Sequence, residues 1–303
     1  MEPVPTPYRS GFVAVMGRPN VGKSTLLNAL LGIKVAAVSP WPQTTRKQQM
    51  GILTLENAQI IFVDTPGVHS PHHKLGKHMN EEAADVLREC DLSLLVVDVS
   101  EPPNEEDQLL ADLLVNLNRP IQTLMALNKA DLVDQEKLHY HKKAFQQVFP
   151  QMVEVLPISA TRGDNLDSLV REIMSRLPES PPFFPEDQIT DLYEREIAAD
   201  LIREAILYHL RDEVPHSIAV RIDEYKERDQ RGAYIAATLF VERDSQKGIV
   251  IGEGGSMLKK IGIAARQKIE AMSGRKVFLR LRVKVRKNWR NDEGALRLFG
   301  FSQ

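Results

Sequence analysis

Between Gly17 and Thr25 the chain reads GRPNVGKST, two glycines five residues apart and then a lysine and two hydroxyl side chains. Gly17, Arg18, Pro19, Asn20, Val21, Gly22, Lys23 and Ser24 match the pattern G-x-x-x-x-G-K-[ST] in full. The chemistry of that pattern is phosphate binding. Loop amides and the start of the following helix surround the anion, the lysine reaches the β and γ oxygens, and the first hydroxyl ligates Mg²⁺. Here those parts fall to Lys23 and Ser24, with Thr25 completing the turn behind them. The apolar run FVAVMG precedes the loop and KSTLLNALL follows it, the strand-to-helix setting that the motif requires.

Four further stretches follow in an order that suits one nucleotide. Asp64-Thr65-Pro66-Gly67 closes the run AQIIFVDTPG. Asp64 is placed to hold Mg²⁺ through water, and the Gly67 amide to meet a γ-phosphate. Asn128-Lys129-x-Asp131 closes PIQTLMALNKAD. A carboxylate there accepts two hydrogen bonds, from guanine N1–H and the 2-amino group. Adenine offers neither, so the expected nucleotide is GTP (with GDP as product) rather than ATP. Ser159-Ala160 ends VEVLPISA and suits backbone contact with the guanine O6. Pro42 to Lys47, PQTTRK, supplies a threonine that ligates Mg²⁺ only when GTP is present, Thr45 in preference to Thr44. Lys23, Thr45 and Gly67 are thus the candidate catalytic groups, and Ser24, Thr45 and Asp64 the metal ligands. Val68 follows Gly67, where Ras-like GTPases carry a glutamine that orients water. Valine has no such group, so hydrolysis needs another stabiliser.

A second glycine loop, Gly252-Glu253-Gly254-Gly255, lacks the G-K-[ST] ending. IVI precedes it and the amphipathic MLKKIGIAARQKIEAMSG follows, with the strand-like AYIAATLFVER before and KVFLRLRVKVRK after. G-x-x-G between two short helices is the signature of a KH domain, and the order helix–strand–strand–loop–helix–strand fits type II, in which small residues let the loop press on an RNA backbone. Lys259, Lys260 and Arg266 on the helix, and Arg286, Lys287 and Arg290 further on, are the candidate RNA contacts. Trp289 stands among the last three, where base stacking and core packing are both open readings.

These motifs need a scaffold, and the pattern of the chain provides one. Apolar runs alternate with amphipathic segments through the first half, implying an α/β domain with a mostly parallel sheet and ligands beyond the carboxyl ends of its strands. Leu177 to Gln188, LPESPPFFPEDQ, holds four prolines and reads as a linker. A smaller α+β domain follows. The expected boundaries are 9–178 for the GTP-binding domain, 179–190 for the linker, and 191–303 for the KH domain with a basic C-terminal tail. Charge divides the same way. Residues 1–180 carry 17 Lys and Arg against 22 Asp and Glu, whereas residues 246–303 carry 14 against 4, which suits a polyanionic partner for the second domain. No apolar run is long enough to span a bilayer, and no signal peptide is evident in MEPVPTPYRS. Cys90 is the only cysteine and reads as a buried apolar residue in a reducing compartment. His69, His72, His73 and His78 cluster after the DTPG motif, with a spacing that suits a solvated segment better than a metal site. Trp41 carries no assignment.

GRPNVGKS, TTR, DTPG and NKAD, together with FFPEDQITD, DEVPHSIAV, IVIGEGG and RVKVRKNWRND, resemble the Era family of bacterial GTPases across residues 9–301. The chain departs from the family at Thr161, where a lysine is usual. The resemblance implies a GTPase that binds the 3′ end of small-subunit ribosomal RNA and assists assembly of the small ribosomal subunit. It implies a cytoplasmic monomer with loose association at the inner membrane surface. It also opens two readings of Asn20: a cap on the loop backbone, or a ligand for K⁺ as in related GTPases with this asparagine.

Overall fold

Two of the apolar runs of the first half become strands with every residue buried, as the centre of a parallel sheet requires. The computed structural model describes residues 7–33, 36–37, 48–67, 73–117, 119–152, 154–190, 194–228 and 232–301. Thr44, Thr45, Trp41, Val68, His69 and His72 lie outside them. The chain forms two units. In the first the elements run β1 (Arg9–Met16), α1 (Lys23–Leu31), β2 (Gln49–Leu55), β3 (Ala58–Asp64), α2 (Lys74–Glu89, its residues from Met79 on), β4 (Leu92–Asp98), α3 (Glu105–Val115), β5 (Gln122–Asn128), α4 (Gln135–Val148), β6 (Glu154–Pro157) and α5 (Leu166–Arg176). The sheet order is β2-β3-β1-β4-β5-β6. All pairs are parallel except β2 with β3. The order reverses at β1, so the loop after β1 opens into the crevice where ligands bind in such sheets.

Strand β2 was not expected from the sequence. Leu55 pairs with Ala58, so the hairpin turns on Glu56-Asn57. That turn has no glycine, and the usual signal for a two-residue hairpin is missing. The proline-rich segment also differs from a free linker. It runs along the first unit, and its own backbone supplies the contacts. Ser10 N–H donates to Pro178 O at 3.2 Å, and Ile52 N–H donates to Ile189 O at 2.7 Å. The buried Gln59 accepts from Phe183 and Phe184 N–H at 2.8 and 3.0 Å and donates to Phe184 O at 2.9 Å. Prolines suit such a strap because it needs few donors of its own.

The second unit runs α6 (Glu194–His209), β7 (Ala219–Arg228), β8 (Gly232–Val241), α7 (Asp244–Ile251), α8 (Ser256–Ser273), β9 (Lys276–Val285) and α9 (Glu293–Leu298). Its sheet is β7-β8-β9, the first pair antiparallel and the second parallel. Leu201, Ile202, Ile206, Ile261, Ala265 and Ile269 from α6 and α8 pack on one face against Ile235, Leu239 and Val277. The IVI run before the second glycine loop is helical, part of α7, so the loop joins two helices.

The expected basic tail is a folded cap. Trp289 is fully buried, donates from Nε1 to Ser217 O at 2.7 Å, and meets Phe299 edge-on at 5.4 Å. It is therefore a core residue and not a platform for bases. Trp289→Phe keeps most of the apolar surface but leaves the Ser217 carbonyl without its donor, which should cost about 1–3 kcal/mol. Urea unfolding of the second unit measures it; a midpoint equal to the wild type would contradict the anchoring role.

Candidate functional site

The phosphate loop is closed by its own lysine. Lys23 Nζ donates to Gly17 O and to Arg18 O, both at 2.9 Å. The side chain is buried, and burial pushes its pKa down to about 8 even though Asp64 and Glu106 pull it upward. An ammonium held this way gains when phosphate oxygens replace the carbonyls. Ser24 Oγ lies 2.8 Å from Asp64 Oδ2, which brings two hard oxygen donors together at the mouth of the loop. That pair fits Mg²⁺. Gly67 is pressed on the loop, because a Cβ there would come within 2.8 Å of Pro19 N. Thr65, which the sequence reading passed over, pins this segment by donating to Val15 O at 2.9 Å.

Arg18 takes a structural part. Its guanidinium lies 3.1 Å from Glu101 and 3.5 Å from Asp107. Asp107 is buried and belongs to the capping box of α3, in which Asn104 and Asp107 satisfy each other's backbone N–H. Burial pushes its carboxyl up, against the pull of Asn104 N–H and Arg18. So the Arg18 backbone serves the loop while its side chain fixes the loop to α3. Asn20 sits in the same loop with φ +66°, a conformation that asparagine tolerates.

The base-reading motifs converge on one amide. Asn128 Nδ2 donates to Val21 O at 2.8 Å, and its Oδ1 accepts from Ala160 N–H at 3.0 Å. Gly22 makes room for it: φ is +100°, and a Cβ would lie 2.3 Å from Asn128 Nδ2. Lys129, at φ +64°, bonds Asp98 Oδ2 at 2.5 Å. Burial would raise the Asp98 carboxyl, but hydrogen bonds from Lys129 and Ser100 outweigh it and hold it low. The signal for Asp98 was present in the sequence, as the lone acid ending the apolar run LSLLVVD beside Asn128. Asp131 Oδ1 is buried without a hydrogen-bond partner, and Oδ2 lies 3.6 Å from Arg162 Nε. An orphaned buried carboxylate oxygen costs stability unless a ligand meets it, and guanine carries the donors that would. Ser159 Oγ accepts from Arg162 N–H at 3.1 Å and closes the turn beside it.

The second glycine loop has the backbone that its composition suggested. Gly252, Gly254 and Gly255 take φ of +71°, +56° and +81°. Gly252 packs on Met257, whereas Gly254 and Gly255 face open space. A groove of about 410 Å³ runs from the loop between α8 and β9, lined in part by Gly255, Leu258, Lys259, Gly262 and Arg266. The predicted RNA contacts therefore separate. Lys259 and Arg266 line the groove, and Glu253 is exposed at its end. Lys260 lies near His209, whose pKa is lowered by burial and then by Lys260 and Lys268. Arg286 pairs with Asp292 at 3.2 Å, Lys287 is exposed, and Arg290 is held by Glu242 at 2.6 Å. Cys90 is buried, with its thiol pushed up to about 12 by burial and then by Asp91 and Glu89. No group of three metal-ligating side chains occurs among the described residues.

Comparison with known proteins agrees with this division. A family model described as 50S ribosome-binding GTPase matches residues 12–129, and a KH-domain model matches residues 213–290. The GTPase Era of Geobacter metallireducens is 47% identical over 297 residues, covering 98% of this chain and 99% of the relative. The GTPase Era of Heliobacterium modesticaldum is also 47% identical, covering 97% and 98%. Among solved structures, Era in complex with MgGDPNP and nucleotides 1506–1542 of 16S ribosomal RNA superposes with a TM-score of 0.91 at 42% identity, covering 98% and 100%. A point variant of Aquifex aeolicus Era bound to GDP and AlF₄⁻ superposes with a TM-score of 0.90 at 41% identity, covering 97% and 100%.

Two outcomes follow from the geometry. Asp131→Asn should shift nucleotide preference from GTP toward xanthosine triphosphate, because an amide donates to the carbonyl at the base's 2 position; competition binding that retains full GTP preference would remove Asp131 as the base reader. A bound triphosphate raises the Lys23 pKa above its free value of about 8. Binding above that pH then takes up a proton. Affinity is complete below about pH 8 and falls by up to about tenfold per unit above it. Titrations from neutral to alkaline pH should show this slope in the wild type and lose it in Lys23→Met; an equal slope in both would assign it to another group.

Proposed function

The chain belongs to the Era family of GTPases, and from that membership we propose a switch in which the GTP state controls a KH domain that holds the 3′ end of small-subunit ribosomal RNA and assists small-subunit assembly. It is an enzyme that hydrolyses GTP to GDP and phosphate, with Mg²⁺. When bound, the metal neutralises charge on the phosphates; Ser24 and Asp64 would hold it, joined by Thr45. The protein's own groups do the rest. Lys23 exchanges the Gly17 and Arg18 carbonyls for β and γ oxygens. The Gly67 amide, held against Pro19, meets the γ-phosphate. Asn128, Ser159 and Ala160 shape the base site, and Asp131 reads guanine. Asn20 supplies an amide oxygen, the hard donor that K⁺ would need. No helix among the described residues is long and apolar enough to cross a membrane.

The observation that carries the RNA half is the loop itself. Gly254 and Gly255 face open space in left-handed conformations, at the head of a groove flanked by Lys259 and Arg266. Two bare glycines there let a phosphate backbone approach, and the N-terminus of α8 points amides at it. Gly254→Asp tests this. Aspartate tolerates φ of +56°, so the loop persists while a carboxylate meets the phosphates. Affinity for RNA carrying the 3′ end of the small-subunit ribosomal RNA should fall by about tenfold or more, while GTP binding stays at the wild-type level. Undiminished RNA binding in a gel-shift titration would overturn the assignment.

A further inference from the structure

The exposed face of the β7-β8-β9 sheet has a composition that fold stability does not require. Along β9, Val277, Leu279, Leu281, Val283 and Val285 pack toward the core. Lys276, Phe278, Arg280, Arg282 and Lys284 alternate with them and so point off the opposite face. Cations stand at every second position but one, about 6.6 Å apart along the strand. Lys276, Arg280 and Arg282 make no ion pair or hydrogen bond among the described residues. The acids on this face are already matched on β7. Asp223 bonds Arg221 at 2.6 Å and Thr238 at 2.5 Å, and Glu224 pairs with Lys226. Burial would raise the Asp223 carboxyl, but Thr238, Arg221 and Lys284 hold it low, so Lys284 already faces an acid. Lys276, Arg280 and Arg282 are left as a stripe of one sign.

In that stripe sits an aromatic pair. Phe278 is 64% exposed and stacks on Tyr234, its partner in register, with ring centroids 5.7 Å apart and planes within 13°. A merely solvated basic face has no use for an exposed phenyl ring. Phe278 also lines the groove beside the glycine loop. The stripe thus begins where the groove ends. We propose that this sheet face is a second RNA-contact surface, on which an RNA strand leaving the groove passes over Phe278 and Tyr234 and lays its phosphates along Arg280, Arg282 and Lys284. The inference rests on the RNA-binding reading of the groove. A row of cations contacts phosphates without reading sequence, and stacked rings accept any base. The groove would select the segment, and the face would add length and affinity.

The experiment uses the full chain and the triple variant Arg280→Gln, Arg282→Gln, Lys284→Gln. Two RNAs are titrated over a range of salt: a single-stranded oligomer of about four nucleotides, the length a KH loop clamps, and a longer RNA that contains the same segment with its flanking sequence. The variant should bind the longer RNA about tenfold more weakly, with a salt slope reduced by about 2, since each lost phosphate contact removes about 0.7. Its binding of the short oligomer and its GTP hydrolysis should equal the wild type. Unchanged affinity for the longer RNA would overturn the proposal. So would an equal loss for both RNAs, which would make the face part of the groove. Loss of binding to vesicles containing phosphatidylglycerol, with RNA affinity intact, would reassign the surface to lipid. Failure of the wild type to bind either RNA would instead sink the RNA reading of the groove.

Discussion

One buried carboxamide holds the nucleotide site together. The phosphate loop leaves β1, the base reader leaves β5, and the Ser159-Ala160 turn leaves β6. Nothing in a parallel sheet fixes three such loops relative to one another. Asn128 does so by donating to Val21 O and accepting from Ala160 N–H. Both partners are buried, and leaving either unpaired would cost about 1–3 kcal/mol. The same contact explains Gly22. Its positive φ turns the loop into α1, and its missing Cβ is the space that the Asn128 amide occupies. The glycine read as a phosphate-loop residue is thus equally a base-site residue.

Around that brace the charges are arranged to be incomplete without a ligand. Lys23 spends its hydrogen bonds on loop carbonyls and is depressed by burial. Asp131 keeps one buried oxygen without a partner. Both are destabilised until phosphate and guanine arrive, so part of the binding energy is relief of costs already present in the fold. The supporting groups, by contrast, are paired with opposite charges within the protein. Lys129 with Asp98, and Arg18 with Glu101 and Asp107, hold the two loops from behind. The KH unit follows a similar division. Arg290 with Glu242 and the buried Trp289 fix its C-terminal cap, while Lys259 and Arg266 remain at the groove.

Much of this was legible in the sequence, because phosphate and guanine chemistry demands particular residue types at strand ends. The parallel core, the motif order and the second glycine loop all follow from local pattern. What local pattern did not show depends on partners distant in the chain. Strand β2 was hidden by a Glu-Asn hairpin turn without glycine. Helix α7 is implied by the G-x-x-G signature but was not delimited as an element, because IVI is as apolar as a strand. The strap over the first unit was read as a linker, since its anchors lie in Ser10, Ile52 and Gln59, more than a hundred residues away. Trp289 was open between base stacking and core packing, and the Ser217 carbonyl decides for the core; Arg290 read as an RNA contact by its basic neighbourhood, and the Glu242 carboxylate holds it. Asn128 was recognised as part of a motif; its bracing role needed the third dimension.

The claim that this amide couples the phosphate and base halves is open to direct measurement. Hydrogen exchange, followed by mass spectrometry on nucleotide-free wild type and Asn128→Ala, reports on the loop amides around Val21 and on Ala160 separately. The account predicts that protection falls in both segments when the carboxamide is removed, with the sheet unaffected. Faster exchange at Ala160 alone, with the phosphate loop as protected as in the wild type, would contradict it.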